Sequence, residues 1–191
     1  LETSGVSARA NRGEQVASPQ PGTAGVVFQA FDGVVFHEAW TDRIDPSSLR
    51  RTARELEASL PRPVAGAEVD PGPPLVVGKV SPRREDPTHL PPAAFRDRAH
   101  EVLEAVHERD ARIRSAQVSM SYNRVQKLFV NRTRRIRQDL LYSNAFLFAF
   151  ATDQGASARA FRGGRWMAGF EATRLGSDYL DEFSATLEDL M

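Results

Sequence analysis

The stretch Ile136-Arg137-Gln138-Asp139-Leu140-Leu141-Tyr142-Ser143-Asn144-Ala145-Phe146-Leu147-Phe148-Ala149-Phe150-Ala151-Thr152 decides the fold. Its even positions Ile136, Leu140, Tyr142, Phe146, Phe148 and Phe150 are large and apolar. Its odd positions Arg137, Asp139, Ser143, Ala145, Ala149 and Ala151 are polar or small. Strand side chains alternate between faces with a period of two, so this pattern predicts a β-strand whose even face presses into a core. The odd face passes from charged residues to alanines, which predicts close cover at its far end.

Outward from this strand, residues 116–123 and 125–131 read as two shorter strands upstream. Residues 157–161 and 166–172 read as a hairpin around Gly163-Gly164 downstream, so that 116–172 forms an antiparallel meander. Nearer the N-terminus, 3–10 and 14–18 are weaker strand candidates, broken by Asn11-Arg12-Gly13 and by Pro19-Gln20-Pro21-Gly22. Residues 25–31 and 34–40 flank Asp32-Gly33. That pair signals a two-residue hairpin, because a type I′ turn needs positive φ at both central residues.

Three helices are predicted around these strands. Asp45 reads as an N-cap with Pro46 at the first helical position, and Leu49, Ala53, Leu56 and Leu60 continue as one apolar stripe. This helix is expected on the buried face of the hairpin. A second helix runs over 92–112, with Phe95, Ala99, Val102, Leu103 and Val106 as its stripe. A third begins at Ser177 as N-cap and buries Leu180, Phe183, Leu187 and Leu190. Residues 61–92 hold nine of the twelve prolines and read as an extended surface connection with one short strand at 75–80. Residues 26–59 and 157–190 both read strand, glycine turn, strand, helix, which predicts a diverged ββα duplication. The expected class is α+β: a mostly antiparallel β-sheet carrying about three amphipathic helices, in a single domain over 1–191.

The bulk numbers exclude several classes. The chain has 191 residues, 41% hydrophobic and 26% charged, as in an ordinary globular protein. Its 25 basic and 25 acidic residues cancel, so there is no global attraction to nucleic acid, and such a partner is not expected. Absence of cysteine removes disulfides, thiolate ligands and cysteine catalysis, and fits a reducing, cytoplasmic setting. The longest apolar run, 145–151, is too short to span a bilayer, and no signal-peptide pattern opens the chain, so no membrane partner is expected. A start at Leu1 and a stop at Met191 just after a predicted helix suggest a piece of a longer protein.

Candidate sites are sparse. His37-Glu38 resembles the start of a zinc-protease helix, but the second histidine is missing, with Trp40 and Thr41 in the stretch that leads to or supplies it. The local pattern is also strand, which puts His37 and Glu38 on opposite faces. His100, Glu104 and His107 share a helix face with Arg96, Asp97 and Glu108, which reads as a solvated face. Arg132, Arg134, Arg135 and Arg137, with Arg124 and Lys127 nearby, form the one dense basic cluster, around a predicted turn. Arg132, Arg134 and Arg135 are its candidate ligand contacts, for phosphates or acidic peptide groups. Asn131-Arg132-Thr133 matches a glycosylation sequon, and neither a Gly-rich phosphate loop nor a G-x-S-x-G elbow occurs. No catalytic, cofactor or metal residue is assigned.

The order of elements resembles the N-terminal domain of the TldD/PmbA proteins, the modulators of DNA gyrase. The stretches that carry the resemblance are Gly25-Val26-Val27-Phe28-Gln29-Ala30-Phe31-Asp32-Gly33, the helix of residues 45–60, residues 117–131, and Ala160-Phe161-Arg162-Gly163-Gly164. After Asn131, Arg132-Thr133-Arg134 departs from the small, acidic and glycine residues of the family turn. The resemblance implies a zinc metallopeptidase whose HExxxH motif and distant cysteine lie in a C-terminal domain, so zinc is expected there and no cofactor in this chain. It implies a non-catalytic half that packs with the peptidase domain in a homo- or hetero-dimer and helps enclose the cleft for unfolded peptide. The alternatives are a stand-alone module binding peptide or nucleic acid through the Arg132–Arg137 turn, and a self-contained hydrolase.

Overall fold

The computed structural model describes residues 1–62 and 69–190; the part of the proline-rich connection at 63–68 lies outside the described residues. The strands are β1 (Glu2–Ala10), β2 (Gln15–Ala24), β3 (Val26–Phe31), β4 (Phe36–Thr41), β5 (Leu75–Val80), β6 (Ile113–Val130), β7 (Arg134–Asp153) and β8 (Ala156–Trp166). The helices are α1 (Pro46–Ser59), α2 (Pro92–Arg109) and α3 (Ser177–Asp189). The fold is α+β, with a six-stranded, mostly antiparallel sheet in the order β2-β1-β6-β7-β5, β8 also pairing with β7. Strands β3 and β4 form a separate hairpin. Among the described residues no helix is long and apolar enough to cross a membrane.

The chain divides into two compact units. Unit 1 holds Leu1–Thr3, Gly22–Lys79 and Val125–Asp139; unit 2 holds Ser4–Pro21, Val80–Arg124 and Leu140–Met191.

In unit 1, α1 packs on the β3–β4 hairpin. Asp45 caps it as the pattern predicts, accepting from the backbone N–H groups of Ser47 and Ser48. Its fully buried stripe is Ser48, Thr52 and Leu56, one position off the predicted Leu49-Ala53 line, which lies half-buried beside it. The hairpin turn also differs from expectation. Phe31 pairs with Phe36, so the loop has four residues, and only Gly33 has positive φ (104°). Asp32 keeps a negative φ and organises the loop through its side chain, whose Oδ1 accepts from the N–H groups of Val34 and Val35. An aspartate that satisfies two backbone donors removes the need for a tight type I′ turn.

In unit 2, the predicted α2 stripe is buried residue for residue: Phe95, Ala99, Val102, Leu103 and Val106. Helix α3 buries Leu180, Phe183 and Leu187 as expected, while Leu190 is exposed and Gly176, not Ser177, is its N-cap. These helices share one core with Val118 and Met120 of β6, Leu147 and Ala149 of β7, and Ala158 and Ala160 of β8. Truncating a fully buried member such as Leu103 to Ala costs about 2–5 kcal/mol.

That core inverts the reading of the opening stretch. The odd residues of β7 from Leu141 to Ala151 are buried, whereas Phe146 and Phe148 are 40% and 37% exposed. Helices cover the odd face, and alanines let them approach the sheet closely; phenylalanines there would hold them off. The two large residues on that face, Leu141 and Leu147, are fully buried.

Three strand boundaries move as well. Strand β6 is continuous across the predicted break after residue 123. Strand β2 runs through Pro19 and Pro21, which an edge strand tolerates because an edge has unpaired N–H positions. Strand β8 runs straight through Gly163-Gly164, which pair with Phe146 and Ala145 instead of turning. Beyond Trp166 the chain makes a short 3-10 turn, Phe170–Thr173, so the second half of the predicted ββα duplication is strand, turn, helix.

Candidate functional site

The predicted basic cluster lies in unit 1, and the local backbone divides it. Asn131 closes the β6–β7 turn: its Oδ1 accepts from the N–H groups of Thr133 (3.0 Å) and Arg134 (2.7 Å). Its Nδ2 donates to the Pro71 carbonyl at 3.3 Å, and Thr133 Oγ1 reaches the Pro71 and Gly72 carbonyls at 3.1 and 3.0 Å. The sequon residues are therefore the clasp between this turn and the proline-rich connection. Arg134 is part of the same clasp. Its Nε donates to the Pro73 carbonyl at 3.3 Å, and its guanidinium lies over Gly72, which has φ +71°.

Arg135 and Arg137, two residues apart, share a strand face opposite that of Arg134. With Lys127, Glu2, Gln126, Leu128 and Ile44 they line an open depression of about 430 Å³. Arg132 sits exposed at the turn. None of Arg132, Arg135, Arg137 and Lys127 pairs with a carboxylate among the described residues. Of the predicted contacts, Arg135 borders this depression, Arg134 bonds the backbone of the proline-rich connection, and Arg132 is exposed at the turn.

The histidines are not gathered. His37 lies on the α1 side of β4, with Nε2 2.6 Å from Asp32 Oδ2. Asp32 is thereby held at about 2 by the Val35 N–H, then by His37 and the Val34 N–H. Glu38 points to the other face and accepts from Gln29. His100 and Glu104 are 3.9 Å apart near the surface, whereas both ring nitrogens of His107 are shielded from solvent. Burial, with the Arg12 guanidinium, lowers the pKa of His107 and favours its neutral form. The α2 face is thus less uniformly solvated than expected. Among the described residues no group of three or more His, Asp or Glu could hold a metal ion.

Sequence reasoning missed the outer face of the β3–β4 hairpin. Val27 pairs with Trp40, Gln29 with Glu38 and Phe31 with Phe36, all on the side away from α1. Trp40 is 74% exposed, and Val27 and Phe36 are also exposed. The Phe31 and Phe36 rings lie 5.0 Å apart. The signal available was the alternation in Phe36-His37-Glu38-Ala39-Trp40, whose larger members fall opposite the helix. On this face two apolar pairs, Val27–Trp40 and Phe31–Phe36, lie either side of the hydrogen-bonded Gln29–Glu38 pair.

The fold defines a class. It is the α+β fold found within proteins described as modulators of DNA gyrase. Over 98% of its length the chain superposes on such a protein from Bacteroides thetaiotaomicron, with TM-score 0.67 and 14% identity, covering 44% of that chain. TldE from Thermococcus kodakarensis matches over 98% of this chain and 42% of its own, with TM-score 0.62 and 12% identity. A modulator of DNA gyrase from Thermotoga maritima matches with TM-score 0.60 and 15% identity, over 99% of this chain and 42% of that one. This chain spans less than half the length of each. No family model and no curated protein sequence matches it.

Proposed function

We propose that this chain is the non-catalytic domain of a TldD/PmbA-like metallopeptidase, which assembles with the peptidase domain and helps enclose the cleft that admits unfolded peptide. The observation that carries this reading is the exposure of Val27 and Trp40 at one end of the β3–β4 hairpin's outer face and of Phe36 at the other, large apolar groups that call for a protein surface to cover them. The fold likeness to longer proteins supports it. An extended peptide is held at a sheet edge, where unpaired main-chain groups bind with weak sequence selectivity. The chemistry belongs to the zinc site that the resemblance implies in the other domain.

The test is purification of the complete gene product, with zinc content and cleavage of an unstructured peptide measured for wild type and Trp40→Ala. The expected result is stoichiometric zinc, with peptide cleavage reduced by Trp40→Ala at unchanged secondary structure. A complete protein with no HExxxH helix, no bound zinc and no co-purifying metallopeptidase overturns the reading. The cleft of Arg135, Arg137 and Lys127 favours a second reading, a stand-alone module for acidic peptide segments. Retained peptide binding in a protein without zinc, lost on Arg135→Ala, selects it.

A further inference from the structure

Unit 2 carries a second unpartnered surface, unrelated to the hairpin's outer face: the face of its sheet opposite α2 and α3. Phe146, Phe148 and Phe150 of β7 lie on it, and the β7–β8 register places Gly163, Phe161 and Arg159 beside them. Phe161 is 66% exposed and stacks on Phe146, with ring centroids 5.9 Å apart and planes 18° apart. Arginines lie over rings at its margins. The Arg165 guanidinium sits 4.3 Å from the Tyr142 centroid, and that of Arg159 sits 5.9 Å from the Phe150 centroid.

Two depressions flank the rings. One, of about 370 Å³, is lined by Ser7, Gln20, Ser121, Asn123, Asn144 and Arg165. The other, of about 340 Å³, is bordered by Arg12, Arg114, Gln117 and Phe148. The outward positions of β1, β6, β7 and β8 in this unit include no aspartate or glutamate. In a chain of zero net charge, the ionic residues at the outward strand positions of this face are thus all arginines, and the β1–β2 turn at its border holds Glu14 beside Arg12.

We infer that this face binds single-stranded nucleic acid. The rings offer stacking platforms, the amides and hydroxyls offer paired donors and acceptors for base edges, and the arginines meet phosphates. An extended peptide is the poorer fit. The backbone N–H and C=O groups of central strands are used in the ladders, so a sheet face gives an extended peptide no main-chain recognition. A second copy of this chain brings the same arginines to an isologous contact, where like charges repel.

The experiment is fluorescence anisotropy of a labelled single-stranded oligothymidylate against the full chain, beside a duplex of the same length and a polyglutamate competitor. With about four phosphates neutralised, the log–log salt slope is about −3, a loss of roughly 50-fold between about 50 and 200 mM salt. Arg159→Ala with Arg165→Ala is expected to reduce the slope by about 1.4. Phe161→Ala is expected to weaken binding by about 5- to 150-fold and Phe161→Tyr to retain it, each with a cooperative melting transition retained. The inference is overturned by no binding at low salt, by a duplex bound as tightly as the single strand, or by polyglutamate competing equally. Loss through Arg132→Ala with Arg135→Ala, and none through Phe161→Ala, also overturns it by moving the site to the unit 1 turn. None of these outcomes depends on zinc or peptidase activity.

Discussion

The Phe146 ring lies across Gly163, so close that a Cβ on the glycine would stand 2.2 Å from Phe146 Cδ1. The two residues are cross-strand partners in β7 and β8. The glycine's value here is the missing side chain, which lets an aromatic ring cover the backbone on the sheet's outer face. Gly163→Ala is therefore expected to push the Phe146 ring off its stack with Phe161 and to cost about 1–3 kcal/mol. Urea denaturation measures the cost; an unchanged midpoint means that the ring moves aside freely.

The inverted faces of β7 predict an asymmetry between neighbours. Ala149, fully buried under the helices, does not tolerate enlargement, and Ala149→Leu is expected to destabilise by about 1–3 kcal/mol. Phe148→Ser, on the outer face, is expected to cost less than Ala149→Leu. Equilibrium unfolding of the two variants compares them directly, and a larger cost at Phe148 contradicts the assigned core.

Gly72 and Arg134 predict a local defect. A Cβ at Gly72 meets both a positive φ and the Arg134 guanidinium, 1.7 Å from its Nη2. Gly72→Ala combined with Arg134→Ala relieves the contact but not the backbone strain. The expected order of thermal midpoints is wild type, then the double variant, then Gly72→Ala alone. A double variant no better than the single shows that backbone conformation dominates.

Acid acts on the hairpin loop through Asp32. Its carboxyl is held at about 2, below the ordinary value of about 3.9, so the loop gains stability from the ionised form. A depressed carboxylate pKa contributes stability that is present above about pH 4 and is lost as the pH falls through about 2. Titrating the Val34 and Val35 amide resonances is expected to give a midpoint near 2, and Asp32→Asn is expected to abolish it. A midpoint near 4 means that the two N–H bonds do not form in solution.

Much of this architecture was legible because local signals and tertiary burial agree. Asp45-Pro46 begins α1, five apolar residues of α2 are buried as spaced, and the short strand at 75–80 forms among prolines. The candidate site was less legible. Arg132, Arg134 and Arg135 lie within four consecutive residues, yet strand alternation and the Asn131 clasp send Arg134 to the backbone of residues 71–73 and leave Arg135 on a cleft.

The amino-acid sequence by itself determined the three helices and the cores of most strands, since periodicity, caps and prolines act over a few residues; it did not determine the run of β8 through Gly163-Gly164 or the continuity of β6. Which face of β7 is inside was decided only by the tertiary structure. Both faces carry apolar residues, and burial goes to the one that the helices can approach, which is the face of alanines with Leu141 and Leu147 among them. The phenylalanines, larger and more hydrophobic, were left outside with the arginines because a close-packed core selects by fit as well as by hydrophobicity. The charge of that outer face came from the fold too, because strand pairing gathers arginines that the sequence holds far apart.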